Sequence, residues 1–468
     1  MMTSTDLLAP DALTRAPIST PAPVARRSRV WRAPRPVATQ TPAHPAPGAG
    51  RYVAGALTAM MIVGGALGLA RLDDGPANDG SQDRSPGSMY SVVDQINARQ
   101  LWDAGITGAG VNVAIIDTGI APVPALTDSG KVVAAVDFSA ERNDPALAGR
   151  DGYGHGTHLA GIIAGRDADF LGVAPDAGLV SVKVGDRTGA VSEGQMVAAV
   201  DWVVANADRL DIDVLTIAFD SGVGTSPAVD RLAAALDRAW DAGIVVVTAA
   251  GNRGADADGL DSPASDPNLI AVGGVEATDG GFTVPEWASS GDGVRNPDLA
   301  APGAHIRSLR APGSQADVEH PEGFVDDARF LGSGSSQSAA VTSGAVALLL
   351  SAQPGLSPQQ VKQALVDSAT PVSASESIVG AGVLDIAAAV KAMPVDATPA
   401  VASASRGSVD HAVEPSWTGS SWTGSSWTGS SWTGSSWTGS SWTGSSWTGS
   451  SWTGSSWTGS SWTGSSWT

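Results

Sequence analysis

The sequence predicts an α/β protein, a parallel sheet flanked by helices, over residues 89–393 of the 468-residue chain. Short, β-prone apolar runs alternate with longer helical stretches, which is the signature of βαβ units. The runs are continuously apolar rather than alternating, as strands covered on both faces must be. The first of them ends on a carboxylate, at the strand end where open α/β sheets build their sites.

Val111 to Ile116 is the first strand, and it delivers Asp117-Thr118-Gly119 to its carboxyl end. Leu179–Val184, Val214–Phe219 and Ile244–Ala249 read as further strands, and Val191–Ala207 and Val229–Asp241 as the helices between them. A last apolar helix runs through Leu350. Residues 71–88 and 394–415 read as linkers on either side of this region.

The chain has no cysteine, which excludes disulfides, thiolate metal sites and a cysteine nucleophile. Its formal net charge is −20, and outside the N-terminal segment basic residues are few. Nucleic-acid binding needs a basic stripe to neutralise phosphates, and none is present, so no nucleic-acid partner is expected. The acidity is read as solubility.

Three segments carry the chemistry: Asp117-Thr118-Gly119, Gly154-His155-Gly156-Thr157-His158-Leu159-Ala160-Gly161 and Gly334-Ser335-Ser336-Gln337-Ser338-Ala339-Ala340. Each is weak alone, since Asp-Thr-Gly also occurs in aspartic proteases and single histidines are usually structural. Together, in the order Asp, His, Ser, they resemble the subtilisin-like serine peptidases (subtilases, family S8). That order differs from those of chymotrypsin and the α/β-hydrolases. The resemblance spans residues 89–393. It includes Ile96-Asn97-Ala98-Arg99-Gln100-Leu101-Trp102, Gly108-Ala109-Gly110-Val111, Ala249-Ala250-Gly251-Asn252 and Ser262-Pro263-Ala264. It continues through Ala301-Pro302-Gly303, Leu356-Ser357-Pro358 and Gly382-Val383-Leu384-Asp385.

The resemblance implies a subtilisin-like fold and a serine endopeptidase with Asp117, His155 and Ser336 as its triad. A serine hydroxyl needs a base to take its proton, and an imidazole is suited to accept and return one. The carboxylate fixes the tautomer and stabilises the imidazolium. Ser336 precedes a helix, whose amides and dipole favour an oxyanion. The family's side-chain oxyanion donor falls on Asn252. The two substrate-pairing stretches fall on Gly189-Ala190-Val191 and Ala218-Phe219-Asp220, where backbone bonds would hold a peptide as an added strand.

No cofactor and no metal are assigned. Asp256, Asp258 and Asp261 are spaced somewhat like a calcium loop but fail the EF-hand form, so a solvated turn is preferred and a structural calcium has no clear motif. His158 has neither an intervening Glu nor a third ligand nearby and reads as structural. His44, His305, His320 and His411 read as surface residues.

The chain departs from the family in three places. Ser335, Gln337, Ala340 and Val341 stand where Thr, Met, Pro and His are usual. Asp220 replaces the glycine that opens the pocket, so a narrower approach or an added charge preference is expected there. Only residues 71–88 separate the apolar N-terminal run from the peptidase lead-in, in place of the usual inhibitory propeptide.

That run, Tyr52 to Ala70, is uncharged and lies between Arg51 and Arg71. As a helix it would span roughly 28 Å against a hydrocarbon core of about 30 Å. Arginines precede it and aspartates follow, which places residues 1–51, a disordered basic segment, in the cytoplasm and the peptidase outside. A retained signal anchor is the first reading, giving a single-pass membrane protein. A cleaved signal, giving a secreted enzyme, and a buried soluble helix remain open.

Residues 416–468 repeat Ser-Trp-Thr-Gly-Ser. A period of five builds no tryptophan stripe on a helix and alternates faces on a strand. The segment reads as a disordered tail carrying regularly spaced aromatic groups. Either it is an expanded linker, or its tryptophans dock on cell-wall glycans, on other copies of the chain or on a partner. Two functions follow. One is a serine endopeptidase acting on proteins or peptides outside the cytoplasm. The alternative is a catalytically weak subtilase-fold binding or scaffold protein working through its tail.

Overall fold

The computed structural model describes residues 83–219, 227–256, 259–260 and 262–392; elsewhere it gives only short pieces of strand backbone. Its strands are β1 (Asn112–Asp117), β2 (Val132–Asp137), β3 (Gly178–Lys183), β4 (Ala190–Val191), β5 (Ile212–Ile217) and β6 (Val245–Ala249). They continue with β7 (Ile270–Thr278), β8 (Gly281–Thr283), β9 (Leu299–Pro302), β10 (Ile306–Leu309) and β11 (Arg329–Gly332). The main sheet runs β9-β7-β6-β5-β1-β3-β2, with every neighbouring pair parallel. Only β8, antiparallel on β7, breaks that pattern within it. From β1 the chain goes out to the edge at β2, returns to β3 and then crosses to β5. The reversal flanks β1, so its carboxyl end opens into the crevice where such sheets place ligands.

Successive β1 side chains divide between two cores. Ala114 and Ile116 pack with Leu215, Ile217 and the helices α2 (Glu193–Leu210) and α3 (Pro227–Asp241). Val113 and Ile115 pack with Val214, Val247 and the helices α1 (His155–Ala164) and α4 (Ser335–Ala352). Because both faces are buried, the sequence is apolar throughout. Helix α4 is buried from Ser335 to Leu350, which explains its lack of a polar face.

Several boundaries differ from the sequence expectation. The helix expected over Val191–Ala207 begins at Glu193. Ser192 Oγ accepts from Gln195 N and Gln195 Oε1 accepts from Ser192 N, a capping box that stops the helix there. Val191 therefore stays in β4. Strand β5 ends at Ile217, so Ala218 and Phe219 lie just beyond it. Its amino end carries a register slip, Asn112 facing Ile212 and Val113 facing Val214. The segments β2 and β7–β11 were not anticipated; β2 lies at the sheet edge with alternating exposure, so its pattern is less apolar.

Among the described residues no helix is long and apolar enough to cross a membrane. The basic segment 1–51, the run 52–70, residues 71–82 of the linker 71–88, the linker 394–415 and the repeat 416–468 lie outside the described residues, apart from backbone pieces. Leu57–Thr58 pairs antiparallel with β4. In the repeat, short strands pair in parallel with partners twenty residues apart, as Trp417 with Trp437. Four repeats make an even number of residues, so the pleat phase that one five-residue step breaks is restored between paired strands.

Candidate active site

Asp117 ends β1 and is 1% exposed. Its Oδ1 accepts from Thr118 N at 2.7 Å, and both carboxylate oxygens lie 2.9 Å from His155 Nδ1. His155 opens α1 and is wholly buried. A carboxylate can only accept, so Nδ1 carries the hydrogen and Nε2 the lone pair. Nε2 is buried with no hydrogen-bond partner. Burial alone pushes the imidazolium pKa down. The charge and hydrogen bond of Asp117, with the charge of Asp151, outweigh it and hold His155 above its ordinary value. The approach of α1 to β1 requires glycine at 156, where a Cβ would sit 3.1 Å from Asp117 Oδ1 and closer still to the Gly119 carbonyl.

Three further charged groups frame this corner. Asp151 accepts five hydrogen bonds from Thr118, Tyr153, Gly154 and Thr157. Lys183, fully buried at the end of β3, donates to Thr118 O at 2.9 Å and lies 3.1 Å from Glu141 Oε2. Glu141 Oε1 in turn accepts from Arg187 N at 2.9 Å. None of the three was singled out in the sequence. A lysine closing the apolar run Leu179–Lys183 and an aspartate four residues before His155 were the available signals.

Helix α4 begins at Ser335, so Ser336, expected just ahead of the helix, sits inside its first turn, 4% exposed. Ser336 Oγ donates to Ala218 O at 3.2 Å. Asn252 Oδ1 accepts from Ser335 N at 2.8 Å and Ser335 Oγ at 3.0 Å, and Ser335 Oγ accepts from Gly251 N. With its oxygen so held, the Asn252 amide nitrogen turns away from Ser335. The serine that replaces threonine is thus what orients Asn252. Gly334, at φ 151°, lets the backbone pass close to Asn252 and Gln337.

Asp186 shapes the turn into β4: its Oδ1 accepts from Thr188 N, Thr188 Oγ1 and Ala190 N. Gly189 has φ 76° and a Cβ there would meet the Tyr153 ring at 3.3 Å. Ala190 is exposed and Val191 buried, and the edge accepts Leu57–Thr58 as an added antiparallel strand. Ala218 and Phe219 are buried, Phe219 within the core that includes Val184 and Met196. Asp220, on which the specificity expectation turned, lies outside the described residues.

His158 donates from Nε2 toward Ile306 O and Phe330 O, and burial with the charge of His155 pushes it down to about 4. It is therefore neutral at physiological pH, as expected of a structural histidine. His305 and His320 are surface residues beside Glu276 and Glu322. Asp258 and Asp261 lie outside the described residues, as do His44 and His411.

Residues 108–382 match the model of the subtilase family. The chain is similar to the serine protease AprX of Bacillus subtilis, 35% identical over 276 residues that cover 56% of this chain and 61% of that protein. That match spans less than two thirds of the relative's length. Subtilisin E of the same species is 31% identical over 304 residues, covering 64% of this chain and 70% of that protein. The crystal structure of fervidolysin from Fervidobacterium pennivorans, described as a keratinolytic enzyme related to subtilisin, superposes with a TM-score of 0.55 at 26% identity. It covers 68% of this chain and 48% of that one.

Proposed function

This chain belongs to the subtilase family, and on that premise we propose that it is a serine endopeptidase that cleaves proteins through Asp117, His155 and Ser336. The observation that carries this reading is the state of His155. Its Nδ1 is fixed by a buried carboxylate, its basicity is raised, and its Nε2 lone pair is left vacant. Those are the requirements of a general base.

In the reaction, Ser336 Oγ leaves the Ala218 carbonyl, gives its proton to His155 Nε2 and attacks the scissile carbonyl. The Ser336 amide lies in the first turn of α4, where no carbonyl precedes it in helical register. That amide and Asn252 Nδ2 stabilise the oxyanion. The imidazolium returns its proton to the leaving amine, and water then releases the acyl group by the same route. The β4 edge, with Gly189, Ala190 and Val191, and the stretch Ala218-Phe219-Asp220 hold the substrate as an added strand.

We place the enzyme outside the cytoplasm, anchored through 52–70 or released by cleavage, with the tryptophan repeat docking on wall glycans or on other copies. A fluorophosphonate probe tests the activity. Stoichiometric labelling that disappears in Ser336→Ala is expected, and a folded protein that never labels would overturn the reading. Shaving intact cells with an added protease should remove the repeat; a protected repeat would overturn the topology.

A further inference from the structure

We propose that Asp151 is a positioning residue for the reaction, a second buried carboxylate that ties His155 to Asp117 and stabilises the imidazolium. The inference rests on the endopeptidase reading above and deepens it.

Asp151 is 6% exposed and lies in the turn that leads into α1. Its Oδ1 accepts from Thr118 Oγ1 at 2.8 Å, Tyr153 N at 3.2 Å and Gly154 N at 2.6 Å. Its Oδ2 accepts from Thr157 N at 2.8 Å and Thr157 Oγ1 at 2.6 Å. These donors bracket His155 on both sides and reach across to the end of β1. Thr118 completes the bridge. Its hydroxyl donates to Asp151, accepts from Gly156 N at 3.0 Å and lies 3.1 Å from Asp117 Oδ1. Thr157 Oγ1 also accepts from Ala121 N at 2.8 Å, pinning α1 to the segment after β1. Through Thr118, the two carboxylates and the backbone that carries the imidazole thus form one cross-linked unit.

The chemistry of the donors matters as much as their number. All five are neutral, and among the described residues no cation pairs with Asp151. Five donors occupy both oxygens of the carboxylate and none of them carries a charge. Its charge is then left to act on the cation that forms during turnover, at His155. The other titratable groups that act on the imidazole are Asp117 from β1 and His158 from α1, which is neutral. Lys183 faces the same corner from β3 but is paired with Glu141. The upward push on His155 includes a contribution from Asp151 beside the larger one from Asp117.

A residue that merely caps α1 would affect folding but not the titration of His155. The test therefore compares wild type, Asp151→Asn and Thr118→Val. The kcat and KM of each are normalised by active-site titration, and His155 is titrated by NMR as well as through the pH dependence of kcat/KM. For Asp151→Asn the acid limb and the NMR titration should move to lower pH, with kcat down by roughly 10–10² and KM little changed. A folded variant with an unmoved titration would overturn the proposal. Should Asp151→Asn not fold, Thr118→Val decides: it keeps the charge, removes the bridge, and should lower kcat about tenfold with the titration in place. An unchanged kcat there would overturn the positioning role. A wild type without turnover would sink the endopeptidase reading instead, and the NMR titration would still decide whether Asp151 acts on His155.

Discussion

At the carboxyl end of the sheet, Asp117 and Asp151 collect hydrogen bonds from Thr118, His155, Gly154 and Thr157. At the amino end, Asp213 is partly buried where β1 and β5 slip in register, and its Oδ2 accepts from Asn112 N at 3.2 Å. Burial, with the charge of Asp211, pushes Asp213 up to about 6 against that one amide. Lys131 at the same end is pushed down to about 8 by burial and by Arg166, its amine donating to carbonyls of Pro175 and Ala177. It lines an open pocket of about 460 Å³. Both ends bury charge, but only one supplies donors that converge on it. A perturbed pKa therefore does not mark the site by itself. What separates the two ends is whether the perturbation comes from organised partners or from lost solvent.

The largest test of that contrast is His155→Ala. It should cost about 10⁶ in kcat, the size known for removing base or nucleophile in a subtilisin, or about 8 kcal/mol. A loss below about 10² in a folded variant would mean that the organised end is not where the chemistry happens. Next, Asn252→Ala should lower kcat by about 10²–10³ with KM nearly unchanged, as steady-state kinetics on a peptide substrate would show. A variant affected in KM alone would make Asn252 a binding residue and narrow the oxyanion hole to the backbone of α4.

The smallest effect belongs to the other end. An acid whose folded pKa is raised binds its proton more tightly in the folded state. Asp213 therefore stabilises the fold at low pH, and that contribution is lost as pH rises from the unfolded value of 3.8 through about 6. Asp213→Asn should accordingly raise stability by roughly 1–2 kcal/mol at pH 7.5, after allowance for solvent screening, and leave kcat alone. Urea unfolding at pH 7.5 and pH 4.5 would measure it; the gain should shrink at the lower pH. A gain that persists at pH 4.5 would mean that Asp213 is not a desolvated acid.

Much of the fold was legible because both faces of the sheet are covered, which writes long apolar runs into the chain. Asp117, His155 and Ser336 were legible because each lies within two residues of a glycine at a strand or helix end and the three segments come in the order Asp, His, Ser. Legibility stopped where a role depends on contacts far apart in sequence. Asp151 gains its place from Thr118, Lys183 from Thr118 O and Glu141, and Ser335 from Gly251 and Asn252. None of those pairings has a local pattern. The helix over-extended to Val191 failed for the opposite reason. A two-residue edge strand precedes a capping box, and the apolar periodicity runs through both.

Helix α4, buried on every side and bearing Ser336 in its first turn, has a consequence in time. A ribosome adding about 5–20 residues per second reaches Ser336 roughly 10–35 s after His155. Through that interval the Asp117–His155 corner has no hydroxyl to activate. The helix that brings one is the central insert of the core, packed against β5, β6 and β7 as well as α1. The nucleophile thus arrives on the helix that fills the core, so the nascent chain has no means to cut itself before that helix is made.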